Sequence, residues 1–305
     1  MSKVAILTDS NSDLSQKEAK ELGVFVMPMP FFIDGNIFFE DISLSQEEFY
    51  KKLDEPDAKI STSMPAIGDL QDKWSELLKS YDQVVYIPMS SGLSSSCSAA
   101  KTAAMDDDFE GRVFVADNHR ISVTLKLSVF EAKRLADQGK DGEYIRNFLE
   151  ETAYDSKIYI TVGTLKYLKK GGRLTPAVAN IGSLLRIKPV LKIDGEKLDL
   201  LTLARTMPQA KAKMVRALRD NMSDLFHDPE GKDCIICVAH TQEKEMAEEF
   251  REELEKEFPG HEIFIDPLSL SVSCHIGPGS LACTVTRKHE GIDIEDLISK
   301  ESRRK

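Results

Sequence analysis

Short, continuous apolar runs alternate with helix-forming segments through the first half of the chain. Val4–Thr8, Val84–Pro88 and Val113–Ala116 are such runs, and the alanine-rich stretch Ser94–Met105 between the last two predicts a helix. Buried runs of this length, separated by helices, are typical of a parallel sheet with helices on both faces. We therefore expect an α/β domain whose ligands bind beyond the carboxyl ends of the strands.

Polar residues follow each of these runs. Asp9-Ser10, Ser90–Ser94 and Asp117–His119 fall at predicted strand ends, which makes this edge of the sheet the candidate binding edge. Asp9 and Asp117 are possible metal ligands, but no pair of histidines has metal-ligand spacing. We predict neither a metal nor a cofactor.

The second half has a different pattern, in which hairpins are mixed with long helices. Asp194-Gly195 lies between two strand-like segments and is a strong hairpin signal, while 207–222 and 243–258 predict long helices. This pattern indicates an α+β domain with a mixed sheet, and 305 residues fit two domains of roughly 150 residues each. The expected divisions are an α/β domain over 1–157, an α+β domain over 158–290 and a charged tail over 291–305.

Composition excludes several classes of partner. The net charge of −11 and the pI near 5.2 argue against nucleic acid and against anionic lipid surfaces as general partners. No apolar stretch approaches the length of a membrane span, and the apolar run at the start is too short for a signal-peptide core. The five cysteines are an odd number without framework spacing, which fits reduced thiols. We expect a cytoplasmic protein that does not insert into membranes.

Three short stretches carry neutral hydrogen-bond donors and no acidic group: Ser61–Pro65, Ser91–Ser94 and His275–Gly279. If they converge, they form a pocket that holds an anion such as a carboxylate without covalent chemistry. Ser94 lies where a strand gives way to a helix, so its hydroxyl either caps that helix or donates to an anion at its amino terminus. The two roles are compatible.

Two local expectations concern the segments around these donors. Val24–Phe32 predicts a second apolar strand despite its two prolines. Pro65 fits the first turn of a helix, which makes Ser63 or Met64 its N-cap and places Thr62 beside a helix amino terminus.

Common catalytic motifs do not match the chain. In Gly92-Leu93-Ser94-Ser95-Ser96, the last serine replaces the second glycine of the G-x-S-x-G nucleophile elbow. Neither the Walker phosphate loop nor the G-x-G-x-x-G dinucleotide fingerprint occurs. These observations favour binding over catalysis.

Nine short motifs follow one another along the chain: Thr8-Asp9-Ser10, Asp34-Gly35, Asp41, Ser61–Pro65, Ser91–Ser94, Gly171–Arg173, Lys188–Val190, Ala204–Thr206 and His275–Gly279. Taken in this order, they resemble the DegV family, the bacterial fatty-acid-binding proteins, and the resemblance runs from near the amino terminus to about residue 290.

The resemblance implies a two-domain protein that buries one long-chain fatty acid between its domains. Thr62 and Ser94 match the family positions that hydrogen-bond the carboxylate, and His275 matches one near the head group. Many relatives are non-catalytic carrier subunits of a fatty-acid kinase. They present the carboxylate to a separate ATP-binding subunit, which makes an acyl phosphate for phospholipid synthesis. The ligand set expected here is Ser61, Thr62, Ser63, Ser94, Ser95 and His275.

The same resemblance assigns Arg173 and Arg205 to the rim and to partner contact. The chain departs from the family pattern in two places. Leu93-Ser94-Ser95-Ser96 stands where Leu-Ser-Gly-Thr is usual, so that Ser95 adds bulk and a donor, and Met64 stands where glutamine is usual. Both departures concern the geometry of the head group.

We expect the acyl chain to determine the affinity for the fatty acid and the hydroxyls to determine the orientation of its carboxylate. About 15 methylenes at ~0.8 kcal/mol each offer roughly 12 kcal/mol gross, whereas each hydroxyl contact contributes ~1 kcal/mol. The residues expected to line the tunnel are Ile181, Leu184, Leu185, Ile187 and Leu191.

Two other hypotheses remain open beside the non-catalytic carrier. One is an enzyme, either an acyl hydrolase that uses Ser94 with His275 or a sugar-kinase-like subunit. The other is a carrier of a different apolar carboxylic acid.

Overall fold

The computed structural model describes residues 2–55, 58–179, 187–298 and 302. Within them the chain forms two compact units, each discontinuous in sequence. The first contains residues up to Tyr154 together with Ser269–Ser271 and Gly291–Leu297, and the second contains the remainder. The domain limits expected from the sequence, 157/158 and 290/291, stay a prediction. The expected tunnel residues Ile181, Leu184 and Leu185 lie outside the described residues.

The strands are β1 Val4–Asp9, β2 Phe25–Met27, β3 Phe31–Ile33, β4 Asn36–Phe38, β5 Ile60–Thr62, β6 Gln83–Ile87, β7 Val113–Val115, β8 Ser156–Thr161, β9 Lys188–Ile193, β10 Asp199–Ala204, β11 Cys234–Thr241, β12 Ile263–Pro267 and β13 Ser280–Arg287. The helices are α1 Gln16–Leu22, α2 Gln46–Leu53, α3 Ile67–Leu77, α4 Ser96–Ala103, α5 Val123–Asp137, α6 Gly142–Glu151, α7 Lys166–Gly171, α8 Pro176–Ala179, α9 Met207–Asp220, α10 Lys244–Glu257 and α11 Leu270–Ile276.

The first unit is built on a parallel sheet with the strand order β2-β1-β6-β7. On one face, Leu7 and Tyr86 pack in a single apolar cluster with Trp74 of α3 and Cys97 of α4. On the other face, α5 packs against β1, and α6 packs against β6 and β7. The predicted parallel sheet with helices on both faces is confirmed.

A separate antiparallel sheet, with the order β4-β3-β5, also belongs to this unit. It shows that the prediction of one strand over Val24–Phe32 was wrong. β2 ends at Met27 and joins the parallel sheet, whereas β3 begins at Phe31 and pairs with β4 and β5. Pro28 and Pro30 lie between them, and proline cannot donate to a strand ladder.

The start of α3 also differs from the prediction. The helix begins at Ile67 with Ala66 as its N-cap, so neither Ser63 nor Met64 is the cap. Pro65 is buried and lies before the helix rather than in its first turn. Residues 63–65 therefore separate the end of β5, at Thr62, from the N-cap of α3.

The second unit is built on a mixed sheet with the strand order β10-β9-β8-β13-β11-β12. Its pairs are antiparallel except for β11 with β12, so the predicted mixed sheet is confirmed. The hairpin signal Asp194-Gly195 joins β9 to β10 as expected. Cys234 and Cys237 are buried on β11, and neither forms a disulfide bond. None of the described helices is long and apolar enough to cross a membrane.

Residues 277–280 form a tight loop that is fixed by Thr241 at the end of β11. The Thr241 hydroxyl donates to the Gly277 carbonyl at 2.7 Å and accepts from the Ser280 N–H at 2.9 Å. The Gly279 N–H donates to the Thr241 carbonyl at 3.1 Å. Gly163, after β8, approaches the same loop so closely that a Cβ there would lie 2.7 Å from the Pro278 carbonyl oxygen. Glycine is therefore required at 163 for steric reasons.

Gly163→Ala tests this close approach. We expect a loss of about 1–3 kcal/mol in the free energy of unfolding, because the added methyl meets backbone that has no low-energy way to move. The matched control is Gly68→Ala in α3, where an added Cβ meets nothing within 4 Å, and it should be neutral or slightly stabilising. Chemical denaturation measures both, and equal effects of the two substitutions would contradict the steric requirement.

Candidate functional site

Ser94 lies in the turn between β6 and α4. The Ser90 carbonyl accepts from the N–H groups of Leu93 and Ser94, each at 3.1 Å, and the Ser90 hydroxyl accepts from the Gly92 N–H at 3.1 Å. These bonds close the turn and place the side chain of Ser94 at the start of α4. The side chain is half-buried.

The hydroxyl of Ser94 accepts a hydrogen bond from the Ser96 N–H, at 3.2 Å. Ser96 is the first residue of α4 and Ser95 is its N-cap, so Ser94 lies one residue before the expected cap position, although its hydroxyl does satisfy one of the unpaired donors at the helix amino terminus. A hydroxyl that accepts one bond still carries its own proton. Capping and donation to an anion are therefore compatible in this geometry.

Thr62 closes β5 and pairs with Phe31 of β3. Successive strand residues point to opposite faces, and the burial follows this alternation: Thr62 is half-buried, whereas Ser61 and Ser63 are exposed. The Ser63 N–H donates to the Pro30 carbonyl at 3.2 Å and so extends the pairing by one residue. Thr62 thus occupies the more enclosed of the two faces.

A side-chain contact brings the two serine-containing stretches together. The Ser95 hydroxyl lies 3.9 Å from the Met64 sulfur, within hydrogen-bonding distance of that weak acceptor. Because Met64 follows Thr62 by two residues and Ser95 directly follows Ser94, the stretches 61–65 and 91–95 lie side by side in the first unit. This contact joins the two stretches at Ser95 and Met64, and the pocket expected from the three stretches stays a prediction.

The carboxylates at the strand ends bind backbone groups. Asp9 accepts from the Asn11 and Met89 N–H groups, both at 2.9 Å, and burial raises its pKa to about 6. Asp117 accepts from the Ser91 N–H at 3.2 Å. Among the described residues, no group of three or more His, Cys, Asp and Glu side chains is arranged to hold a metal.

His275 lies in the last turn of α11, in the second unit, and is half-buried. The sequence predicts a glycine loop after His275 but does not predict this helix. A Cβ on Gly171 would overlap the Nδ1 atom of His275, and a Cβ on Gly277 would overlap the ring of Tyr167. Both glycines therefore allow side chains to approach the backbone more closely than any other residue would permit.

His275 is a neutral imidazole at pH 7. Its pKa is lowered to about 4, mainly because the ring is buried and secondly because the positively charged Arg173 guanidinium lies nearby. In this state one ring nitrogen donates and the other accepts a hydrogen bond. The side chain therefore adds a neutral group to the second unit rather than a positive charge.

The two arginines expected at the rim occupy different settings in the second unit. Arg173 is half-buried, and its guanidinium donates to the Gly171 carbonyl at 2.5 Å. Arg205 is exposed in the turn between β10 and α9, where its backbone N–H donates to the Gln209 side chain at 3.0 Å. The exposed guanidinium of Arg205 is accessible to a partner.

Two carboxylates at the amino end of α11 were not identified from the sequence. Asp13 accepts from the Ser269 N–H and Glu40 from the Leu270 N–H, both at 2.8 Å. Burial raises the pKa of Glu40 to about 7. More than 200 residues separate each pair along the chain, so no local pattern could have revealed this capping.

His275→Gln tests the neutral histidine. Its pKa is about 4 in the folded state and near 6.5 in the unfolded state, so the unfolded chain takes up the proton first as the pH falls. Relative to the variant, the protein should therefore lose about 3 kcal/mol of unfolding free energy between pH 6.5 and pH 4. Denaturation curves across this range measure the difference. Parallel pH profiles for the two proteins would show that the imidazole titrates normally.

Known proteins were compared with the chain as a whole. A curated relative from Halalkalibacterium halodurans, a DegV domain-containing protein, is 30% identical over 283 residues, which cover 92% of this chain and 97% of the relative. A DegV family protein from Thermus thermophilus, whose structure is described as showing fatty-acid binding, superimposes with a TM-score of 0.84 at 28% identity, covering 93% of this chain and 99% of that one.

A second solved structure gives the same result. DegV of Bacillus subtilis, described as a fatty-acid-binding protein, has a TM-score of 0.82 at 28% identity, covering 94% of this chain and all of its own. The sequence model for "Uncharacterised protein, DegV family" matches residues 3–288. The resemblance seen in the sequence motifs is thus confirmed, and the chain belongs to the DegV family.

Proposed function

We propose that this protein binds one long-chain fatty acid and holds its carboxylate with the hydroxyls of Thr62 and Ser94. The observation that carries the proposal is the contact between Ser95 and Met64, which sets the two hydroxyl-bearing stretches side by side. Membership of the DegV family and two relatives described as fatty-acid-binding support the choice of ligand. The further members of the proposed ligand set are Ser61, Ser63, Ser95 and His275.

Neutral donors suit a carboxylate that must remain reactive. A hydroxyl donates one hydrogen bond without forming an ion pair, so the carboxylate oxygens keep much of their electron density. The amino terminus of α4 adds partial positive charge next to Ser94. The acyl chain supplies most of the affinity, since burying about 15 methylenes offers roughly 12 kcal/mol gross. Leu191, buried on β9, is one side chain proposed to line its tunnel.

We further propose that the protein is a carrier without turnover of its own. In this role a separate ATP-dependent kinase subunit receives the presented carboxylate, one oxygen of which attacks the γ-phosphorus of ATP. The products are ADP and an acyl phosphate, which enters phospholipid synthesis. Arg173 and Arg205 are the proposed partner contacts, and the exposure of Arg205 supports that part of the proposal. The expected site of action is the cytoplasm.

Native mass spectrometry of the freshly purified protein tests for the ligand. We expect a one-to-one adduct with the mass of a long-chain fatty acid, because a buried acyl chain dissociates slowly. Denaturation followed by lipid identification gives the chain length. A ligand-free protein that takes up neither added palmitate nor added oleate would contradict the proposal. An adduct with another apolar acid would instead support a carrier of that acid.

Thr62→Ala and Ser94→Ala test the head-group contacts. A hydrogen bond to a charged group is worth about 1.5 kcal/mol, so each substitution should weaken fatty-acid binding roughly tenfold and lower the phosphorylation rate at limiting ligand. The matched control is Ser98→Ala, an exposed serine on α4, which should change neither.

Unchanged binding and turnover in both variants would exclude these hydroxyls from the site. Release of nitrophenol from an acyl ester by the isolated chain, lost in Ser94→Ala, would instead support an acyl hydrolase.

A further inference from the structure

The turn that carries Ser94 follows β6, and β6 lies between β1 and β7 in the parallel sheet. Each neighbouring strand leads into an aspartate. Asp9, the last residue of β1, accepts from the Met89 N–H at 2.9 Å, and Asp117, two residues beyond β7, accepts from the Ser91 N–H at 3.2 Å. The turn is therefore held from both sides by carboxylates at the same edge of the sheet.

Between these two points, the backbone of Ser90 is also fixed. Its N–H donates to the Arg120 carbonyl at 2.9 Å, and its own carbonyl accepts from Leu93 and Ser94. Residues 89, 90 and 91 are thus each bonded to a neighbouring segment, while Ser94 is bonded to Ser90 within the turn and to Ser96 at the start of α4. The position of Ser94 therefore depends on where residues 89–91 are held.

Asp117 is itself held in place by a second carboxylate. The Asp117 N–H donates to Glu150 of α6 at 3.0 Å, and the same Glu150 oxygen accepts from Lys101 of α4 at 2.8 Å. The helix that follows Ser94 is therefore bonded to the same glutamate as the backbone of Asp117. Glu150 is therefore bonded both to Asp117, which holds the turn before Ser94, and to Lys101 of the helix after it.

We propose that Asp117 is a positioning residue for recognition of the ligand carboxylate: it fixes the turn so that the Ser94 hydroxyl points at the head group. This inference rests on the proposed function, since it needs Ser94 to contact a carboxylate. Asp117 itself contacts backbone and not the ligand. Removing its carboxylate should release the turn and leave the apolar contacts of the acyl chain unchanged.

Asp117→Ala, assayed with two ligands of equal chain length, tests the proposal. Palmitate carries the carboxylate, and hexadecanol has the same chain without the charge. The variant should bind palmitate about tenfold more weakly than wild type, while its affinity for hexadecanol stays within about twofold. Asp117→Asn keeps an acceptor oxygen for the Ser91 N–H and should recover most of the palmitate affinity. The matched control is Asp107→Ala, an exposed aspartate after α4, which should change neither affinity.

Ser94→Ala in the same assay distinguishes a failure of the positioning role from a failure of the proposed carboxylate site. If Ser94→Ala lowers palmitate affinity selectively but Asp117→Ala does not, the positioning role is overturned and the proposed function stands. If Ser94→Ala affects neither ligand, the proposed carboxylate site itself fails. An equal loss of both ligands in Asp117→Ala would make its role structural only. Because Asp117 acts through Ser94, the double variant should be no weaker for palmitate than the weaker single variant.

Discussion

The organisation of the first unit depends on satisfying the backbone donors just beyond the carboxyl end of β6. A chain that leaves a central strand loses its ladder partners at once, and its N–H groups must then find acceptors or water. Here Asp9, at the end of β1, and Asp117, two residues beyond the end of β7, supply the acceptors. This works because parallel strands end at one edge of the sheet, so residues far apart in sequence meet there. The same bonds that satisfy the backbone hold the Ser94 hydroxyl at the start of α4.

A site of this kind separates affinity from orientation. Apolar burial is non-directional and scales with the length of the acyl chain, whereas hydroxyl hydrogen bonds are directional and weak in net terms. A salt bridge to arginine would bind the carboxylate more tightly, but it would also withdraw charge from the oxygen that attacks a phosphorus atom in the proposed function. The neutral state of His275, with its pKa near 4, is consistent with the same principle in the second unit.

The sequence predicted the elements that have a local signature. β1, β6 and β7 appear as continuous apolar runs, and the hairpin at Asp194-Gly195 was evident from its turn residues. Helix α5 was missed because most of its residues are buried around the whole circumference, which removes the amphipathic contrast. The capping of α11 by Asp13 and Glu40 and the support of Ser91 by Asp117 were out of reach because they join distant segments.

The two departures from the family pattern, Ser95 and Met64, meet each other in the folded chain. The Ser95 hydroxyl donates to the Met64 sulfur, 3.9 Å away. Had glycine stood at 95, the thioether would have no hydroxyl partner there, and had glutamine stood at 64, Ser95 would face a stronger acceptor. The two positions are therefore one coupled feature. Since a thioether is a weak acceptor, Ser95 can give up this bond for a stronger acceptor. The pair would therefore compete only weakly with the carboxylate contacts proposed for Thr62 and Ser94.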